Sequence, residues 1–224
     1  MIIPTVLVRN EEYHIAEVLH ALVDVFGMVI MGDTGSLDLT PRIAAEITGV
    51  QVHQFGVVTP RRFTELRAAM GELAARAGAD WQLLCDGDEL YSRAGLQAIR
   101  DIPMPVGTYA GFTSMMTLDR DDDGDLWEMN DQFSRLAVMP ARCGWSGDYP
   151  FDVPDVFNGH SGQYFYYPLP VGLRYHAVHL HRLPRSTEDS ITMMRVRKQK
   201  QFSMQERPDI MRTEKFNLKF WEEM

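Results

Sequence analysis

Two cysteines, Cys85 and Cys143, are all that 224 residues hold. That is too few for a disulfide scaffold, so a packed core must supply the stability, and a reducing cytoplasm is the expected setting. Basic residues are outnumbered, 22 Lys and Arg against 31 Asp and Glu, for a formal net charge of -9. This excludes a passive nucleic-acid or anionic-membrane binder, though not a local basic cleft. No apolar run approaches the ~20 residues of a membrane span. Met1–Asn10 lacks the basic start and long apolar stretch of a signal peptide. Internal repeats, linkers and a second core are not legible either. What is present is apolar content, 45% of the chain, enough for one sizeable core. Fourteen methionines read as adaptable core filling.

The first ninety residues alternate strand and helix. Ile2–Val8 is a short apolar run rich in β-branched residues, suited to a strand buried on both faces. Asn10 is expected to cap the next helix, with Tyr13 at N3, Glu11 and Glu12 in its first turn, and Ile15, Val18, Leu19, Leu22 and Val23 at helical spacing up to Gly27. A strand is expected over Met28–Met31. The Asp33-Thr34-Gly35-Ser36 turn follows, then a helix capped by Ser36 or Asp38 and running to about Ile47. Val50–Phe55 reads as a third strand, Phe63–Ala77 as a helix, and Trp81–Cys85 as a fourth strand. Alternation of this kind implies βαβ units and a largely parallel sheet, whose ligands bind beyond the carboxyl ends of the strands. Asn10, Glu11, Glu12, Asp33 and Asp86 all fall just after strand ends, so one crevice is expected to gather them.

The sharpest local signal is Asp86-Gly87-Asp88. Carboxylates at i and i+2 leave a strand on the same side. As the strand frays at Gly87, both can converge on one hard cation such as Mg²⁺ or Mn²⁺, or on phosphates that the cation carries. The rival reading is an exposed turn. From about Gly95 the pattern changes: Pro103, Pro105 and Gly107 mark a connection, and Tyr109–Thr117 and Phe133–Met139 read as strands. Between them Asp119–Asp125 packs five Asp and one Gly. Its ligand spacing does not fit a calcium loop, and a solvated hairpin loop or a mobile lid is expected. Residues from Ser190 onward read as a charged helical region with a cluster at Arg195, Arg197, Lys198 and Lys200, a solvated face.

Three segments taken together, Val8-Arg9-Asn10-Glu11-Glu12, Met31-Gly32-Asp33-Thr34-Gly35-Ser36-Leu37-Asp38-Leu39-Thr40 and Asp80-Trp81 leading to Asp86-Gly87-Asp88-Glu89, resemble the family 2 glycosyltransferases. Later segments resemble the family more loosely: Phe133-Ser134-Arg135-Leu136, Trp145-Ser146-Gly147 and His176–Arg182. The resemblance implies a GT-A fold, with a Rossmann-like, mostly parallel central sheet flanked by helices and a mixed acceptor-side half. It implies one catalytic domain, with a nucleotide-sugar half over about 1–94 and an acceptor half over about 95–224.

The resemblance also implies roles. Asp88 would ligate a divalent metal, Mn²⁺ or Mg²⁺, with His181 or His179 as a further ligand; the two lie at i and i+2, and spacing does not separate them. Asp86 would contact the ribose or the metal's water shell. Arg9, Asn10, Glu11 and Asp33 would meet the base and ribose of a nucleoside diphosphate sugar, expected to be UDP-linked because Asp33 can accept a uracil N3–H. Gly35 and Ser36 would let the backbone approach the ligand, and Arg67 would lie near the diphosphate. An inverting transferase needs a carboxylate base. Where many relatives carry His-Glu, this chain has Asp148 and Asp152, with Asp155 further on; Asp152 is favoured.

The function implied is transfer of a sugar to a hydroxyl acceptor, which could be a small molecule, a lipid-linked sugar, a protein or a modified nucleic-acid base. With no membrane helix after the core, processive polysaccharide synthesis is not expected. Two alternatives compete. A sugar-phosphate nucleotidyltransferase should show a Gly-rich phosphate loop with a basic residue after strand one, where this chain has Asn-Glu-Glu. A catalytically degenerate GT-A binding module fits the missing His-Glu but not the acidic and histidine ligands.

Overall fold

Ile2–Val8 forms β1, and every residue of it but Ile2 is buried, as a strand covered on both faces requires. The computed structural model describes residues 1–59, 62–121, 123–129, 132–146, 153–154, 164–180 and 212–216. β2 (Val29–Asp33) and β4 (Trp81–Asp86) flank β1 in parallel, and β3 (Val50–Gln54) lies parallel beyond β2. Past β4 the sheet turns antiparallel: β8 (Phe133–Pro140) pairs with β4, β6 (Ala110–Arg120) with β8, and β7 (Leu126–Met129) with β6. β13 (Arg212–Lys215) pairs with β7. Short β5 (Glu89–Tyr91), β11 (Tyr164–Tyr166) and β12 (Ala177–His179) join to the side, and β9 (Trp145–Ser146) pairs with β10 (Val153–Pro154). The chain is thus α/β, a parallel half followed by a mixed one, consistent with a Rossmann-like GT-A arrangement.

Strand alternation sorts the core into two layers. Val6, Val8, Val29 and Met31 face α1 (Ile15–Phe26) and α4 (Arg93–Asp101), where Ile15, Leu19, Leu22, Leu96 and Ile99 are buried. Ile3, Leu7 and Ile30 face the other way, onto Leu66, Met70 and Ala74 of α3 (Phe63–Arg76). The two layers pack on opposite faces of the same sheet. α2 (Thr40–Glu46) closes the crossover to β3. Among the described residues no helix is long and apolar enough to cross a membrane.

Several helix expectations need correction. α2 has Leu39 in its cap position with no side-chain cap, rather than Ser36 or Asp38. In the region expected to be helical from Ser190 onward, Arg212–Lys215 is the strand β13. α1 begins at Ile15 with His14 in the cap position and no side-chain cap; Asn10 does not cap it, because Asn10 is engaged elsewhere. α4 has no counterpart in the sequence reading, since Gly95 and a two-residue apolar stripe, Leu96 and Ile99, obscure it. Its start signal was nonetheless there: Ser92 accepts the Gly95 N–H at 3.0 Å, an ordinary N-cap. The acidic segment is the expected hairpin loop between β6 and β7. Asp121 Oδ1 accepts the N–H groups of Asp123 and Asp125, and Asp121 Oδ2 accepts the Trp127 indole N–H at 2.7 Å.

Candidate functional site

β1 feeds a crossover to β2 on one side while β4 borders it on the other. This is the point of a doubly wound sheet where a crevice opens beyond the strand ends. The segments after β1, β2 and β4 meet there. Gly87 lies so close to the first of them that a Cβ would stand 3.0 Å from Val8 Cβ and 3.1 Å from Glu11 Cγ. Glycine is what lets the acidic turn and Glu11 share the crevice.

Residues 10–12 and 36–40 are zipped together. The N–H groups of Asn10, Glu11 and Glu12 donate to Ser36 Oγ (2.9 Å), Thr40 Oγ1 (2.8 Å) and Asp38 Oδ2 (3.2 Å). In return Leu37 N–H donates to Asn10 Oδ1 at 2.8 Å and Leu39 N–H to Glu12 Oε2 at 2.9 Å. Asn10 is fully buried and holds φ at 56°, a left-handed conformation that asparagine tolerates better than most residues. Asn10 and Ser36, expected to touch a ligand, join the two loops through these bonds. Gly35, at φ 88°, turns toward the next loop: a Cβ there would lie 2.7 Å from Val57 N.

The zipper leaves Asp33 at the crevice end of β2. Its carboxylate accepts the N–H groups of Gly35 and Ser36 at 3.2 Å, an Asx-type turn that orients it while a carboxylate's other lone pairs stay available. Arg9 reaches the Thr34 carbonyl at 3.5 Å. A cleft of about 240 Å³ lined by Phe55, Val58, Arg62, Glu65, Leu66 and Ala69 opens next to this turn, where Phe55 N–H donates to the Asp33 carbonyl.

The acidic turn is held from three sides. Gly87 N–H donates to Leu7 O at 3.0 Å, Leu180 N–H to Asp88 O at 2.7 Å, and Asp86 N–H to Glu89 Oε2 at 3.0 Å. The two aspartates have different surroundings. Asp86 Oδ2 lies 3.2 Å from Arg135 Nη1, and Asp86 Oδ1 lies 3.8 Å from Arg67 Nη1. Arg67 is buried on α3, with its guanidinium 5.3 Å from the Trp145 ring centroid. Asp88 Oδ2 instead faces His179 Nε2 at 3.6 Å. β12 carries His179 there by pairing with both β5 and β6, opposite Glu89 and Thr117. Cys85, one residue before Asp86, is no candidate nucleophile: burial pushes its thiol up to about 12.

Of the late histidines, His176 is structural. Its Nδ1 accepts the Ser114 N–H at 3.1 Å and its Nε2 faces Pro168 O at 3.2 Å, which fits the neutral ring protonated at Nε2. Burial lowers its pKa. His181, Asp148, Asp152, Asp155 and the Arg195–Lys200 cluster lie outside the described residues. Two residues with evident roles here carried none in the sequence reading: Arg135, which bridges Asp86 and Glu89, and Glu89 itself. Their signal was present, an Arg-Leu on a late strand and a carboxylate directly after Asp88, but only the folded chain brings the two together.

No family model matches the chain, and no curated protein matches it. Solved structures do. The chain is similar to S. aureus TarS 1–349 (16% identity over 55% of this chain and 37% of that one, TM-score 0.38), and so spans little more than a third of its length. It is similar to galactosyltransferase LgtC in complex with donor and acceptor sugar analogs (14% identity, 63% of this chain and 58% of that one, TM-score 0.39). An active-site mutant of LgtC matches over 90% of this chain and 96% of that one, at 11% identity and TM-score 0.46. It is also similar to 4-diphosphocytidyl-2C-methyl-D-erythritol synthase (13% identity, 62% of this chain and 75% of that one, TM-score 0.44). At these identities and scores no activity passes from them to this chain.

Proposed function

We propose that the chain is a metal-dependent inverting glycosyltransferase that moves a sugar from a UDP-linked donor to a hydroxyl acceptor. The observation that carries this reading is the meeting of Glu11, Asp33, Asp86 and Asp88 at the strand ends with His179, which the second half of the chain delivers.

Asp88 and His179 fit a divalent ion. Their donor atoms are 3.6 Å apart, longer than a hydrogen bond and within the roughly 3–4 Å span of two donors that each lie about 2.1 Å from one ion. Among the described residues no third His, Cys, Asp or Glu completes a cluster; substrate phosphate and water would fill the remaining positions. A bound Mn²⁺ or Mg²⁺ would supply Lewis-acid stabilisation of the diphosphate leaving group. Arg67, beside Asp86, adds positive charge on the same side. Asp33 accepts from the base and Glu11 from the ribose hydroxyls. The carboxylate that deprotonates the acceptor is Asp152, with Asp148 as the other candidate.

The test is thermal stabilisation by nucleoside diphosphates with Mn²⁺, followed by donor hydrolysis and transfer. A larger shift with UDP than with ADP, GDP or CDP, lost without metal, is the expected result. No shift with any nucleotide and no turnover of any donor would sink the reading.

A further inference from the structure

Glu89 is fully buried, and its two carboxylate oxygens have two partners. Oε2 accepts the Asp86 N–H at 3.0 Å, while Oε1 meets Arg135. The same nitrogen of Arg135, Nη1, lies 3.2 Å from Asp86 Oδ2. One guanidinium thus touches both shoulders of the turn that carries Asp88. The strand that delivers it is irregular at this point. β8 pairs Val138 with Gly111 but Leu136 with Phe112, skipping Ala137, and such a bulge re-aims the side chains around it.

A buried carboxylate without a cation is strongly unfavourable, whereas a buried ion pair gives little net stability over apolar side chains of similar size. Stability alone therefore does not account for the pair. We infer that Arg135 is a positioning residue of the donor site: by neutralising Glu89 it keeps that carboxylate over the Asp86 amide, which fixes the turn and aims Asp88 at His179. The inference rests on the reading of Asp88 and His179 as the metal corner. Lysine keeps the charge but not the flat, pre-organised guanidinium that places Nη1 between the two carboxylates, so it is an incomplete replacement.

Hydrogen exchange over residues 84–90 of the ligand-free protein and Mn²⁺ affinity by calorimetry test it together. In Arg135→Met, exchange at the Asp86 amide should quicken by about tenfold or more, as loss of a hydrogen bond to a charged acceptor does. Mn²⁺ should bind about 10–100-fold more weakly, the usual effect of removing a partner behind a metal ligand. Arg135→Lys should fall between. Should Arg135→Met fail to fold, the Glu89→Leu/Arg135→Met pair removes both charges; it should fold yet keep the fast exchange and weak Mn²⁺ binding. Arg142→Gln, an exposed arginine paired with Glu72, should change neither readout. Unchanged exchange and Mn²⁺ affinity in the Arg135 variants would overturn the inference. If the wild type binds no Mn²⁺ and no nucleotide, the functional reading fails, and the exchange rates still decide whether Arg135 holds the turn.

Discussion

Asp88 and His179 face each other at 3.6 Å although they come from opposite halves of the chain. A ligand at one hundred times its Kd adds about 2.7 kcal/mol of stability. For a domain of this size that is about 5–10 °C in Tm. UDP with Mn²⁺ should shift the wild type by such an amount, and Asp88→Ala and His179→Ala should abolish the Mn²⁺-dependent part in differential scanning fluorimetry. An undiminished shift in His179→Ala would move the ligand role to His181.

Gly87 gives a second, sterically defined handle. In Gly87→Ala the new methyl would meet Val8 and Glu11 at 3.0–3.1 Å, so Glu11 must give way by a few tenths of an ångström. Overpacking of this kind costs about 1–3 kcal/mol. The expected result is a modestly lowered Tm together with a weakened UDP shift, read in one melting experiment. An intact shift would show that Glu11 does not contribute to the nucleotide site.

The zipper between the first two loops should matter to stability more than to binding chemistry. Asn10→Ala loses the acceptor for Leu37 N–H and places alanine at φ 56°, where a Cβ is strained by about 1–2 kcal/mol. Asn10→Gly loses the hydrogen bond but not the backbone freedom. Urea unfolding should show both variants destabilised, Asn10→Ala by about 1 kcal/mol more. Equal stability of the two would rule out the backbone contribution.

His176 predicts a pH dependence with a definite sign. Burial lowers its folded-state pKa below the ordinary 6.5, so the unfolded chain takes up a proton more readily. Its contribution is complete above about pH 6.5 and is lost as pH falls toward the folded pKa. The fall in unfolding free energy from pH 7 to pH 5 should be shallower in His176→Gln than in the wild type. A parallel fall in both would mean that other groups carry the acid sensitivity.

Most of the parallel half was legible because it is written in short-range signals. Burial on two faces made Ile2–Val8 apolar throughout, and Gly27 and Gly78 punctuate helices whose stripes face one layer. The segments that leave β1, β2 and β4 had to converge once those strands were parallel neighbours, so the crevice followed from order along the chain. The use of each polar residue did not follow. That Asn10 joins the first two loops instead of capping α1, and that Ser36 Oγ receives the Asn10 N–H, becomes visible only once the loops are folded.

The sequence by itself determined that strands and helices alternate, that carboxylates follow the strand ends, and that Asp86-Gly87-Asp88 is the acidic tip of the fourth strand. Only the tertiary structure decided how those two aspartates divide, Asp86 between Arg67 and Arg135 and Asp88 toward His179. The physical reason is range. Periodicity and capping act within a few residues, whereas the placement of Arg135 depends on the register of β8 and the bulge within it. That of His179 depends on a strand that pairs with both β5 and β6.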